Sequence, residues 1–267
     1  MNTAKTRKGF RYWHESLLLI LLVALLAYAN KVDPVFTSLD TQKELSSHLW
    51  ERSIIAIPML LIIITGGIDL SVGAMVSLCA IVLGLLQEKG ISPFIGGPIA
   101  IACGAVFGWM NGLSITRLKI HPLIITLATM GAYRGCAEGI SFGGGITGFP
   151  ESFSWVGAGP FALSFFIVAA IVTAVLLQKS TLGRSLYAIG HSEKAARFSG
   201  LNVNRIKVLV YSLAGLASGV AATILISRRP TAKADVGDGW EMDVITAVVL
   251  GGASINGGKG NIPGLVL

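Results

Sequence analysis

Charge is what this chain has least of. Only 13% of its 267 residues are charged and 53% are hydrophobic, against about 25% charged in a soluble globular domain. That shortage excludes an ordinary soluble domain and points to a chain embedded in lipid. Acids are fewer than bases, 14 against 21, which leaves a net charge of +7. In a soluble chain that surplus would suggest nucleic acid. Here no run interleaves aromatic and basic residues, and basic loops held on one side of a membrane account for the surplus better. Nucleic acid is therefore set aside as a partner. The three cysteines (Cys79, Cys103 and Cys136) all fall in apolar runs without a C-x-x-C spacing, which argues against a disulfide framework and a zinc site. Four histidines, His14, His48, His121 and His191, form no H-E-x-x-H and no cluster, and there is no G-x-S-x-G. Gly258-Lys259-Gly260 misses the phosphate-loop pattern at both ends, with Ala253 for the first Gly and Gly260 for Ser/Thr. Catalysis finds no support, and no metal or cofactor is expected in this chain.

What the chain has is apolar runs. They cover 17–29, 53–65, 70–86, 93–115, 122–140, 160–177, 206–226 and a shorter 244–250. The pattern predicts one all-α membrane domain over 1–267, a polytopic bundle of about eight segments. The 53–65 run makes roughly 20 Å of helix at about 1.5 Å per residue, whereas a bilayer core is about 30 Å thick. Thr65, Gly66, Gly67, Asp69 and Ser71 stand where it stops. Broken backbone at membrane depth is tolerated where protein buries it or where it lines a watery cavity. Short, Gly-interrupted segments also point to a transport site. Two roles stay open for Asp69, an N-cap on the next helix or a group on the pathway.

Orientation follows from the bases. Lys5, Arg7, Lys8 and Arg11 precede Trp13 and the first run, as a cytoplasmic flank, an interface anchor and a first span. Ala27-Tyr28-Ala29 also fits a signal-cleavage pattern, but a retained anchor is the preferred reading. With the N-terminus inside, the inner segments 1–12, 66–70, 114–121, 179–205 and 252–262, with Lys207 at the edge of the fourth, hold 13 Lys and Arg and the outer ones 7. Arg228, Arg229 and Lys233 are the local exception. The loop 141–159 has no base, as an external loop should. Within 179–205, residues 192–198 mix helix formers with charge, and Gly200 is placed to end a short helix. Arg134 and Glu138 are four apart on one helix face, suited to pairing with each other or to touching a solute. Asp243, opening the last apolar run, is expected to N-cap it.

Several stretches together resemble one family. Thr65-Gly66-Gly67-Ile68-Asp69-Leu70-Ser71-Val72-Gly73 resembles the hallmark of ribose-type ABC importer permeases. His121-Pro122-Leu123-Ile124-Ile125-Thr126 with Tyr133-Arg134-Gly135 is similar to that family's middle span. Thr181-Leu182-Gly183-Arg184 through Ser199-Gly200 resembles its ATPase-docking loop, and Trp240 through Gly252 its late re-entrant element. The resemblance covers residues 50 to 267. It implies docking of an ATPase through Glu193, Ala195, Ala196, Arg197, Phe198 and Gly200, and a re-entrant element carrying Glu241, Asp243, Gly251 and Gly252. It implies a substrate pathway past Thr65, Gly66, Gly67, Asp69, Ser71, Arg134 and Glu138. The expected partners are a cytoplasmic ATPase subunit that binds the ATP, a periplasmic or extracellular solute-binding protein, a second permease chain and membrane lipid. The expected place is a bacterial inner membrane, multi-pass, with a cytoplasmic N-terminus. The expected cargo is a monosaccharide or similar small polar solute. Members continue through further spans after the Gly257-Gly258-Lys259-Gly260 loop. The resemblance thus implies missing C-terminal spans and a poorly packed, exposed end after Gly260. A branched-chain amino acid permease is the nearest alternative. An ion-coupled carrier would need acids buried in mid-span and no docking loop, and a hydrolase built on Asp69 lacks a second acid.

Overall fold

Every regular element is helical among the described residues, 13–157 and 160–266, with side chains from Ser16 onward, of the computed structural model. The basic tail 1–12 and the Trp13 ring lie outside that description. Eight helices correspond to the eight apolar runs: α1 (Trp13–Val32), α3 (Trp50–Ile64), α4 (Val72–Glu88), α5 (Pro93–Leu118), α6 (Pro122–Ser141), α7 (Pro160–Lys179), α10 (Val203–Arg228) and α11 (Trp240–Leu250). Between them stand α2 (Leu39–Ser47), α8 (Thr181–His191), α9 (Glu193–Phe198) and, at the end, α12 (Ile262–Val266). Pro93 and Pro122 open their helices at the first turn, where a missing N–H costs nothing. Ser180, Ser192 and Asn202 each accept a backbone N–H from the first turn of α8, α9 and α10.

The short helices α3 and α4 form the centre, with most residues of both buried. The long helices α5 and α10 pack along them. Gly104 and Gly108 of α5 lie directly against Gly215 and Tyr211 of α10, so close that a Cβ would strike the facing backbone. Lipid gives helices no hydrophobic reason to associate, so such close backbone packing carries the interface. On the outside, Val168, Ile171, Val172 and Val175 of α7 and Ile124 and Leu127 of α6 are exposed. This outer coat suits hydrocarbon. Pro93–Leu118, Glu151–Lys179 (which contains α7) and Val203–Arg228 are long and apolar enough to cross a membrane. Leu39–Ser47 with Trp50–Ile64 meets the same measure as a pair bent by 52°.

Two expectations need correction here. The new helix after the break starts at Val72, not at Asp69 or Leu70. The segment after Gly260 is not loose along its length: Ile262 and Gly264 of α12 are buried, and Gly264 packs backbone to backbone on Gly251, while Val266 stays exposed. Gly251 has no side chain to hold the two segments apart.

Candidate functional site

The break between α3 and α4 ends the first helix by a two-bond closure. Gly67 N–H donates to Ile62 O at 3.1 Å and Gly66 N–H to Ile63 O at 2.9 Å. Gly66 holds φ +79°, the left-handed turn that this C-terminal motif requires and that a side chain would strain. Gly67 is sterically fixed too, because a Cβ there would lie 2.6 Å from the Tyr211 hydroxyl. Beyond it the chain runs without regular structure through a bend at Leu70 to Ser71.

Asp69 is fully buried in that irregular stretch. Ser71 N–H and Oγ–H both donate to its Oδ1, at 2.9 and 2.6 Å. This is a turn ahead of the helix rather than a cap on it, because α4 begins only at Val72 and its own first N–H groups lie beyond Asp69's reach. From Ser71 a buried polar chain crosses three helices. Asn111 Nδ2 on α5 donates to Ser71 Oγ at 2.7 Å, and Tyr133 OH on α6 lies 3.0 Å from Asn111 Oδ1. The Asp69 Oδ2 atom has no hydrogen-bond partner. Asn111 was not singled out from the sequence, and Tyr133 only as part of the middle-span motif. A lone asparagine inside the apolar run 93–115 was the signal that could have found the first of them.

The expected pathway residues divide by burial. Thr65, Gly67, Asp69 and Ser71 are buried, whereas Gly66 and Glu138 are exposed and Arg134 is partly so. Arg134 does not pair with Glu138. Its guanidinium lies 2.6 Å from Asp238, in the segment that leads back from α10 to α11. A neighbour four residues along the helix loses here to a carboxylate brought in by that returning segment. Gly237, next to Asp238, sits against Gly73 of α4 and donates its N–H to Ser77 Oγ at 3.1 Å. The returning segment is thereby held against the first half of α4.

Asp243 does not cap α11. The cap position is Gly239, and Asp243 instead meets Arg52 of α3 at 3.0 Å. Arg52 also lies over the Trp240 ring, 4.9 Å from its centre. Glu241 is buried with one carboxylate oxygen unpartnered. Gly251 closes α11 and Gly252 follows at φ +89°. At the start of α3, buried Glu51 pairs with Arg228 of α10 at 3.2 Å, and His48 joins both Arg228 and Arg229. Two of the three outlying bases, Arg228 and Arg229, are therefore engaged by a carboxylate and an imidazole.

On the other side of the break stands the charged loop. Residues 193–198 form α9 as expected, and Gly200 follows at φ +82°. Ala196 is buried, Ala195 exposed, and Phe198 is 92% exposed. Glu193 binds both Arg197 and Lys207, at 2.7 and 2.6 Å, which ties α9 to α10. Burial would raise the Glu193 carboxyl, but the Lys207 and Arg197 hydrogen bonds outweigh it and hold the pKa below the ordinary value. The preceding helix α8 is fastened to the break. Gly190 lies directly on Ile64 O and the Gly258 amide, Gly258 N–H donates to Ile64 O at 2.9 Å, and Tyr187 OH donates to Gly260 O at 2.7 Å. The charged loop, the glycine-rich 257–260 stretch and the end of α3 therefore meet at one junction.

Comparison with known proteins follows this geometry. The profile of the family described as "Branched-chain amino acid transport system / permease component" matches residues 52–267. The ribose import permease protein RbsC of Escherichia coli (strain K12) is 34% identical over 99% of this chain and 87% of its own length. The Bacillus subtilis (strain 168) protein of the same name is 40% identical over 81% of this chain and 69% of its own. The autoinducer 2 import system permease protein LsrD of Salmonella paratyphi B is 35% identical over 96% of this chain and 80% of its own. No solved structure matches the chain. A helical, lipid-coated bundle with a broken central helix and a charged loop fastened to that break, matched over four-fifths of its length by import permeases, is a transport subunit, and the chain belongs to the branched-chain amino acid transport system / permease component family of integral membrane proteins.

Proposed function

We propose that this chain forms half of the translocation pathway of an ATP-driven importer for a monosaccharide or a similar small polar solute. The relatives are named for import of ribose and of autoinducer 2, and both names point to small polar cargo. In this reading the N-terminus and 179–205 face the cytoplasm of a bacterial cell. An ATPase subunit binds the ATP and docks on α9, a solute-binding protein delivers cargo from outside, and a second permease chain completes the pathway. The exposed Gly66 and the Arg134–Asp238 pair line the route, while the buried Asp69–Ser71–Asn111–Tyr133 chain braces it.

The observation that carries this reading is the Gly190 junction. An ATPase that moves α9 and α8 pushes directly on the end of α3, where the central helix is broken, so closure of the ATPase becomes a rigid-body shift at the pathway. The test is uptake of labelled ribose in cells carrying this chain with its ATPase and binding protein. Gly190→Leu, which drives a side chain into Ile64 O, is expected to abolish uptake while the assembled complex still copurifies with its ATPase. Normal uptake in that variant would sink the coupling route. The family description favours one further reading, a branched-chain amino acid cargo. Uptake of labelled leucine in place of ribose would select it.

A further inference from the structure

We propose that the cleft between the α5–α6 turn and the start of α10 binds the phosphodiester headgroup of an anionic phospholipid. A cavity of about 660 Å³ opens there, within the range of small-molecule sites. Lys119 and His121 come from the turn, Arg197 and Glu193 from α9, and Lys207 and Asn204 from α10. Three full cations and an imidazole thus face one carboxylate. Glu193 already neutralises part of the charge of Arg197 and Lys207. Lys207 still keeps two N–H donors free, and Lys119 has no ion-pair partner among the described residues. His121 spends Nδ1 on the Leu123 N–H at 3.3 Å, which leaves Nε2 for a ligand. A neighbouring recess of about 360 Å³ shares Thr116 and Asn204 and adds Arg117 and Arg205.

The ligand chemistry is a phosphate, and the rim decides its source. Leu118, Ile120 and Ile124, on the same turn and the first turn of α6, are exposed. Basic side chains set directly beside lipid-facing apolar ones match a headgroup with its acyl chains, not a free ion. Basic pockets between helices at the cytoplasmic membrane surface are known to take anionic headgroups. A bound phosphate competes with Glu193 for Lys207 and Arg197, so the lipid loosens the tie between α9 and α10. Its bearing on the ATPase rests on the proposed docking role of α9; the binding itself does not.

Titration of the delipidated full chain in neutral detergent, read by native mass spectrometry, tests the site. Phosphatidylglycerol is expected to be retained at least about fivefold more tightly than phosphatidylcholine, the size of roughly one basic contact. The preference should fall as salt rises. Lys119 is the probe because it sits at φ +55°, where asparagine is tolerated. Lys119→Asn is expected to lose most of the preference and Lys119→Arg to keep it. Equal retention of the two lipids, or an unchanged preference in Lys119→Asn, overturns the proposal. Full displacement by millimolar inorganic phosphate would make the ligand a soluble anion and overturns the lipid assignment. Stoichiometric displacement by the ATPase subunit would make the cleft a protein interface, with the same consequence. Retention is read without transport, so failure of the docking role leaves the result interpretable.

Discussion

Asp69 spends one oxygen on Ser71 twice and leaves the other without a partner. Removing the side chain takes the acceptor from two buried donors, the Ser71 N–H and the Ser71 hydroxyl, and so loosens the anchor of the chain that runs on to Asn111. Asp69→Ala is therefore expected to cost about 1–3 kcal/mol, the usual penalty for a buried polar group left unpaired, read as a lower unfolding midpoint in detergent. Asp69→Asn retains an Oδ1 that accepts the same two bonds. It should fold like the wild type and import at a rate within about threefold of it, since the brace needs an acceptor and not a charge. Wild-type folding with abolished import in Asp69→Asn would assign the carboxylate to the pathway instead.

Among the elements, α9 carries the proposed docking surface. Serine caps its start, glycine ends it, and its one large apolar side chain, Phe198, projects from the protein. A Phe left 92% exposed contributes nothing to folding, but aromatic anchors of this kind dominate interfaces. Phe198→Ala is expected to weaken the ATPase subunit's affinity at least about tenfold, read by a pull-down titration, with no change in the unfolding midpoint, read by a melt in detergent. The Glu193 bridge makes the same helix pH-dependent. Its folded-state pKa is lowered, so its contribution is complete above the ordinary carboxylate value and is lost as pH falls through the lowered one. The hydrogen-exchange protection factor at 193–200, taken against the intrinsic rate at each pH, should hold from neutral pH down to the ordinary carboxylate value and fall as the pH drops below it. In Glu193→Gln that acid step should vanish.

At the scale of the whole molecule the two ends of the bundle differ in kind. One gathers the charged loop, the glycine junction and the basic cleft. The other gathers Glu51, Arg228 and His48 around a smaller polar cavity of about 280 Å³. Lys194 on α9 and Lys89 after α4 are both exposed and report the two sides. In a chain stripped of Cys79, Cys103 and Cys136, a cysteine replacing Lys89 should react with a membrane-impermeant maleimide in intact cells. One replacing Lys194 should react only after permeabilisation. The opposite pattern would invert the proposed orientation.

How much could be read from the residues alone depends on the range of the interaction. The apolar runs, the glycine-ended α3, the restart after a short gap and the capped α9 are all decided within a few neighbours, by burial, turn geometry and cap chemistry, and the sequence determined them. The same range sufficed for the motifs that announced a permease. It failed wherever a side chain had to choose among distant partners. Arg134 had Glu138 one turn away and took Asp238; Asp243 had a free helix end and took Arg52; Asp69 had the start of α4 and took a turn ahead of it. Those choices depend on which helices cross, at what depth and how closely. The tertiary structure settled them through glycine contacts such as Gly73 with Gly237 and Gly190 with Ile64, because a charge in lipid pairs with whichever opposite group the packing brings within reach.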